Sequence, residues 1–161
     1  MHNTEISTKL ADITSLLGKC KAWAANASDA SLASHLATYI NVYLLGVLEE
    51  SIELLFRERA KKANDDCVAN YICQDVEKSF QNPKRQRIGE MLKRFSTDFS
   101  EAFYRRFPET CSEITALDSI NSIKQDLAHR GAYNLNLTLE DVEDYLTRVI
   151  PILEEIESIL G

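Results

Sequence analysis

The chain has 161 residues, a formal charge of −7 and a pI of about 5.0. That length suits one domain with a continuous core, and the acidity excludes a protein that coats nucleic acid by bulk charge. Five glycines, three prolines and no Asn-Gly or Asp-Gly pair leave little material for hairpins, so the expectation is a single all-α domain over residues 1–161, an up-and-down helical bundle with additional short helices.

A first amphipathic helix is predicted over residues 4–27, with Ile6, Leu10, Ile13, Leu16 or Leu17, Cys20 and Trp23 facing inward. Asn26-Ala-Ser-Asp29 supplies a turn and N-cap candidates. The next helix is the longest. Leu32, Leu36, Tyr39, Ile40, Tyr43, Leu44, Val47, Leu48, Ile52 and Leu55 keep the helical period to about residue 63. Tyr39 and Tyr43 read as core or dimer-seam residues, and the breadth of this face fits both an internal core and a partner subunit. A shorter helix follows over residues 66–80, stopped by Asn82-Pro83 because proline disfavours helical backbone before it.

Residues 84–107 carry seven basic side chains against three acidic ones, +4 locally and −11 in the remainder. Such a run is more often a solvated helix face than a surface for a polyanion. Two short helices, over 85–94 and 97–106, are predicted here, ended by Pro108. Glu109 or Ser112 then opens a helix that stops near His129 before Gly131. Thr138-Leu-Glu-Asp141 has capping-box character for the last helix. That helix carries Val142, Tyr145, Leu146, Val149, Ile152, Leu153, Ile156 and Ile159 on one side, with Pro151 kinking it rather than ending it.

Cys20, Cys67, Cys73 and Cys111 contain no Cys-x-x-Cys pair and no zinc-ligand spacing, and read as buried thiols of a reducing cytoplasm. A polar N-terminus and a longest apolar stretch of only seven residues near 42–48 predict neither a signal peptide nor a membrane span. Glu154, Glu155 and Glu157 read as a solvated face. No metal and no cofactor is expected.

The chemistry-bearing residues gather in 116–133. On a regular helix Gln125 and Asp126 share the face of His129, at i−4 and i−3, and either can orient the imidazole. Lys124 lies five residues before the histidine, about 140° round the helix. Lys124 and His129 therefore converge only if the last turn unwinds or if two copies of the helix meet.

Three stretches carry a resemblance: Tyr43-Leu-Leu-Gly-Val-Leu-Glu-Glu-Ser-Ile-Glu-Leu-Leu-Phe, then Leu117-Asp-Ser-Ile with Leu127-Ala-His129, then Thr138-Leu-Glu-Asp-Val. Together they resemble the HEPN superfamily (higher eukaryotes and prokaryotes nucleotide-binding), in particular the branch associated with RNA ligase and polynucleotide kinase-phosphatase proteins. That family's motif is an arginine followed four to six residues later by a histidine at the end of the penultimate helix. Here the spacing and the histidine are present in Lys124-Gln125-Asp126-Leu127-Ala128-His129, with lysine in place of arginine and Arg130 where many relatives have glycine.

The resemblance implies a helical bundle, a homodimer that brings two motifs together, and metal-independent cleavage of RNA through its own 2′-OH. Such cleavage needs a general base, a general acid for the leaving 5′-oxygen and a cation on the phosphorane. Histidine suits the proton transfers, since an unperturbed imidazole titrates near ~6.5. His129 is assigned as base or acid, with its copy from the second protomer or Lys124 serving the other roles, Gln125 or Asp126 as positioning groups, and Arg130 and Tyr133 as substrate-binding candidates. Partners on this reading are RNA, a second copy, and a cognate antitoxin or neighbouring-gene protein in a toxin-antitoxin or phage-defence setting. Lysine keeps the charge of arginine but loses its planar two-pronged donor, so the alternative is a non-catalytic dimeric module that binds RNA, a nucleotide or a protein partner. A helical adaptor without any nucleic-acid role is the third reading.

Overall fold

The computed structural model describes residues 2–26, 31–62, 65–79, 82–130 and 136–161, without the side chains of Glu77, Lys78, Ser79, His129 and Arg130. Seven helices make up the described chain: α1 (Thr4–Ala25), α2 (Leu32–Lys61), α3 (Asp66–Ser79), α4 (Arg85–Phe95), α5 (Thr97–Arg106), α6 (Ser112–Arg130) and α7 (Leu139–Leu160). It is an all-α bundle, and no strand occurs among the described residues.

Helix α2 is the organising element. It packs against α1, α3, α6 and α7, and its buried residues, from Ala37 and Ile40 through Leu44, Leu45 and Leu48 to Phe56, occupy most of its circumference. Burying each such Leu, Ile or Phe stabilises the fold by ~1.5–3 kcal/mol before entropy is counted. Phe56 also meets Phe95 of α4, ring centroids 5.7 Å apart, while Phe103 of α5 meets Phe107 at 5.4 Å. The short helices are thereby joined to the core of the long ones.

Local sequence explains the helix ends. Asn3 caps α1 by accepting from the Ile6 amide at 3.1 Å, and Ser96 caps α5 by accepting from Asp98. The capping box expected at Thr138 is present: its hydroxyl accepts from the Asp141 amide at 3.1 Å and the Asp141 carboxylate accepts from the Thr138 amide at 2.9 Å. Pro151 lies inside α7 without ending it. Helix α1 runs antiparallel to α2 and α7. At its start the Asn3 amide side chain donates to Glu58, and Glu157 accepts from the His2 amide at 2.8 Å and from the Asn3 amide. At its end Lys21 pairs with Glu143 at 2.8 Å.

Several expectations about which way side chains face are corrected. Trp23 is 57% exposed. The buried stripe of α1 advances 6, 10, 13, 17, 20 and continues to Ala24, which packs on the core, so Trp23 falls about 100° away from it. Tyr39 and Tyr43 are exposed, which corrects the core reading of them but not their reading as seam residues between two copies; with Gly46 and Glu50 they form an exposed strip of α2, at whose edge Lys9 of α1 pairs with Glu50 at 2.7 Å. Of the cysteines only Cys20 is buried, and burial pushes its thiol pKa up. Glu157, read as part of a solvated face, instead closes the start of α1.

Gly89 permits a close approach. A Cβ there would meet the Tyr104 ring at 2.1 Å, so the absence of a side chain lets Tyr104 of α5 lie directly on α4.

Candidate functional site

Helix α6 arises from the apolar stripe Ile114, Leu117, Ile120 and Ile123, all buried, and stays helical through Arg130. His129 is therefore on its last turn, and the last turn does not unwind before it. Of the two ways for Lys124 and His129 to meet, unwinding is removed. The side chains of His129 and Arg130, all of Tyr133 and the expected helix stop at Gly131 lie outside the described residues.

Lys124, Gln125 and Asp126 are described, and they part company. Gln125 is exposed and Asp126 half-buried. Lys124 turns toward α2, where its ammonium donates to Glu49 Oε1 at 2.9 Å; their side chains are 33% and 20% exposed. The same Glu49 oxygen accepts from the Asn82 amide at 2.7 Å. Asn82 has a φ of 63°, a left-handed backbone that asparagine tolerates better than most residues. One carboxylate thus joins α2, the entry to α4 and the motif cation of α6.

Two asparagines lock the seam beneath. Asn41 of α2 donates to the Ile120 carbonyl at 3.1 Å, and Asn121 of α6 donates to the carbonyls of Pro83 at 2.9 Å and Leu117 at 2.8 Å. Both are buried, and the side-chain oxygen of each is without a hydrogen-bond partner. Leaving a buried acceptor unpaired costs ~1–3 kcal/mol. These are the polar exceptions inside a packed interface.

Above that seam an open cleft of about 640 Å³ lies between the start of α4, Tyr104 of α5 and the middle of α6. Lys84, Gln86 and Gln125 line it and also line an adjoining depression of about 410 Å³ that reaches Asn82 and Arg87. Part of the basic segment is consumed structurally. Arg85 Nε donates to the Phe107 carbonyl at 2.6 Å, Arg94 pairs with Asp75, and Arg106 approaches Glu113 at 3.9 Å. Lys84 and Arg85 remain beside the cleft. Among the described residues no cluster of His, Cys, Asp or Glu is arranged to hold a metal ion, and no helix is long and apolar enough to cross a membrane.

Sequence reasoning did not place Glu49, Asn82 or Asn121 here, and read Lys84 only as the start of the basic run. Asn121 had a readable signal, an amide side chain within the apolar run of α6. Glu49 had none, because its partner is 75 residues away. No protein-family model, curated protein or solved structure matches the chain.

Proposed function

We propose that this chain is a HEPN-like, metal-independent endoribonuclease that acts as a homodimer, with His129 as acid or base and RNA as substrate. The observation that carries this reading is the continuity of α6 to Arg130. It keeps Gln125 and Asp126 one turn below His129 on a common face, and Gln125 on that face borders the cleft beside Lys84 and Arg85. A continuous helix also keeps Lys124 about 140° from His129, so the second proton-transfer group and a phosphate-holding cation come from the motif of the other copy. The 2′-oxygen attacks phosphorus as its proton passes to the base, the 5′-oxygen leaves with a proton from the acid, and a 2′,3′-cyclic phosphate results. A toxin or host-defence effector restrained by a partner protein is the biological setting that fits such an activity.

Purified protein is expected to cut RNA in EDTA and leave cyclic phosphate ends, and His129→Ala to lower the rate by roughly 10²–10⁴-fold, the scale of a lost general acid or base. Cleavage indifferent to His129→Ala would sink the assignment.

The Lys124–Glu49 pair favours a second reading, a non-catalytic module that dimerises and binds RNA, a nucleotide or a protein partner, because the ammonium is engaged within its own chain at 2.9 Å. Lys124→Arg separates the two. Its two-pronged donor can grip Glu49 and phosphate together, so the nuclease gains rate, whereas the binding module stays silent.

A further inference from the structure

Helices α4 and α5 form one hairpin with its own internal fastenings. Arg85 donates to the Phe107 carbonyl at 2.6 Å, and the Tyr104 hydroxyl donates to the Gln86 carbonyl at 3.3 Å. The hairpin is joined to the long helices in two chemically different ways. Around the end of α4 and the start of α5 the joint is aromatic: Phe95 meets Phe56, and the Arg59 guanidinium lies over the Phe99 ring at 5.9 Å. At the entry to α4 the joint is polar and rests on two consecutive residues. The Asn82 amide donates to Glu49, and the Pro83 carbonyl accepts from Asn121.

These joints respond to different things. Burial of Phe95 against Phe56 is non-directional and has no charge to lose. The Asn82 joint does depend on charge, because Glu49 Oε1 accepts at once from the Asn82 amide at 2.7 Å and from the Lys124 ammonium at 2.9 Å. The Glu49 side chain is only 20% exposed. With the ammonium in place, the carboxylate is neutralised where it sits. Without it, a half-buried carboxylate keeps one neutral donor, and an uncompensated charge of that kind is relieved by turning to water. Asn82 then loses its acceptor, and its left-handed backbone at φ 63° loses a contact that holds it there.

We propose that Lys124 and Glu49 form a charge-operated latch on the entry to α4. Closed, the pair holds Asn82 and keeps residues 82–84 against α2 and α6. Loss of the ammonium charge, or its transfer to another anion, opens the latch. The opening is confined to residues 82–84, because Arg85 is tied to Phe107 and Ile88 is buried. Asn82 and Lys84 line the depression of about 410 Å³ together with Gln125, so the latch sets how closely Lys84 stands to α6. None of this depends on the nuclease reading, since the device needs only the ion pair and the Asn82 amide.

Amide hydrogen exchange of the full chain, followed by NMR, tests the latch. Lys124→Met is expected to speed exchange at Asn82 by about tenfold, the scale of one lost bond to a charged group. Ile88, whose amide donates to the Lys84 carbonyl, follows in the same direction; Ser96, whose amide donates to the Leu92 carbonyl at the far end of α4, keeps its rate. Lys124→Arg retains the charge and leaves Asn82 at the wild-type rate. In Glu49→Gln the amide oxygen still accepts from Asn82 and no charge is left to compensate, so adding Lys124→Met changes nothing further. Three outcomes would each overturn the proposal: Asn82 exchange indifferent to Lys124→Met, equal acceleration at Asn82 and Ser96, which is general destabilisation, or the same acceleration in the Glu49→Gln background.

Discussion

Glu157 and Glu49 do the same thing at two places, and the contrast between them separates a structural fastening from a candidate functional one. Glu157 gathers the backbone amides of His2 and Asn3 and fixes the start of α1 to the end of α7. Glu49 gathers one backbone amide, from Asn82, and one side-chain ammonium, from Lys124. A backbone amide at a helix start has no other task. An ammonium can exchange its carboxylate for a phosphate, so the Glu49 junction is open to competition where the Glu157 junction is not.

Removing each carboxylate breaks the comparison in a different place. Glu49→Ala strips a half-buried amide and an ammonium of their acceptor and is expected to cost about 1–3 kcal/mol, read as a lower Tm, and, if the chain binds RNA as proposed, to change that affinity. Glu157→Ala, nearer to solvent, is expected to cost about 0.5–1.5 kcal/mol and to leave RNA affinity as it was. A shift of RNA affinity in Glu157→Ala would erase the distinction. Glu49→Gln sharpens it: the amide oxygen still accepts from Asn82, but the charge that holds Lys124 is gone. On the proposed RNA-binding reading, RNA affinity is then expected to rise about threefold at low salt, and the dependence of log K on log salt to steepen by about one ion.

The smallest effect is expected at Glu113, a carboxylate that binds only locally. Its pKa is lowered first by hydrogen bonding to its own backbone amide in the opening turn of α6; burial opposes this, while Ser112, Cys111 and Arg106 assist it. A depressed folded pKa means stabilisation present above the ordinary carboxylate range, near ~4.3, and lost as pH falls through the folded value. Glu113→Gln is therefore expected to cost about 0.3–1 kcal/mol at neutral pH, a difference that closes in acid. Denaturation series at pH 7 and pH 3 check it.

The helices and their ends were legible because the signals are local: the Thr138–Asp141 box, Pro83 and Pro108, and the apolar period of α6. Direction of facing was less so. Periodicity marked Tyr39 and Tyr43 as apolar positions of α2, yet a helix packed among several others still keeps one exposed strip, and nothing local says which. The candidate site divides in the same way. Lys124, Gln125, Asp126 and His129 were found through spacing along one helix, whereas the Lys124–Glu49 pair and the Asn121–Pro83 bond depend on tertiary packing that spacing does not encode.

The central place of α2 also governs the order in which the molecule can form. Its apolar faces are covered by α1 from one side of the sequence and by α6 and α7 from far along the other. Closing contacts over such separations slows folding. During synthesis, a newly emerged α2 remains without its α7 partner until nearly a hundred further residues have followed. The exposed apolar surface in that interval is a binding site for chaperones and a route to aggregation, and amides of mid-α2 are expected to be among the last to exchange with solvent once α7 has docked.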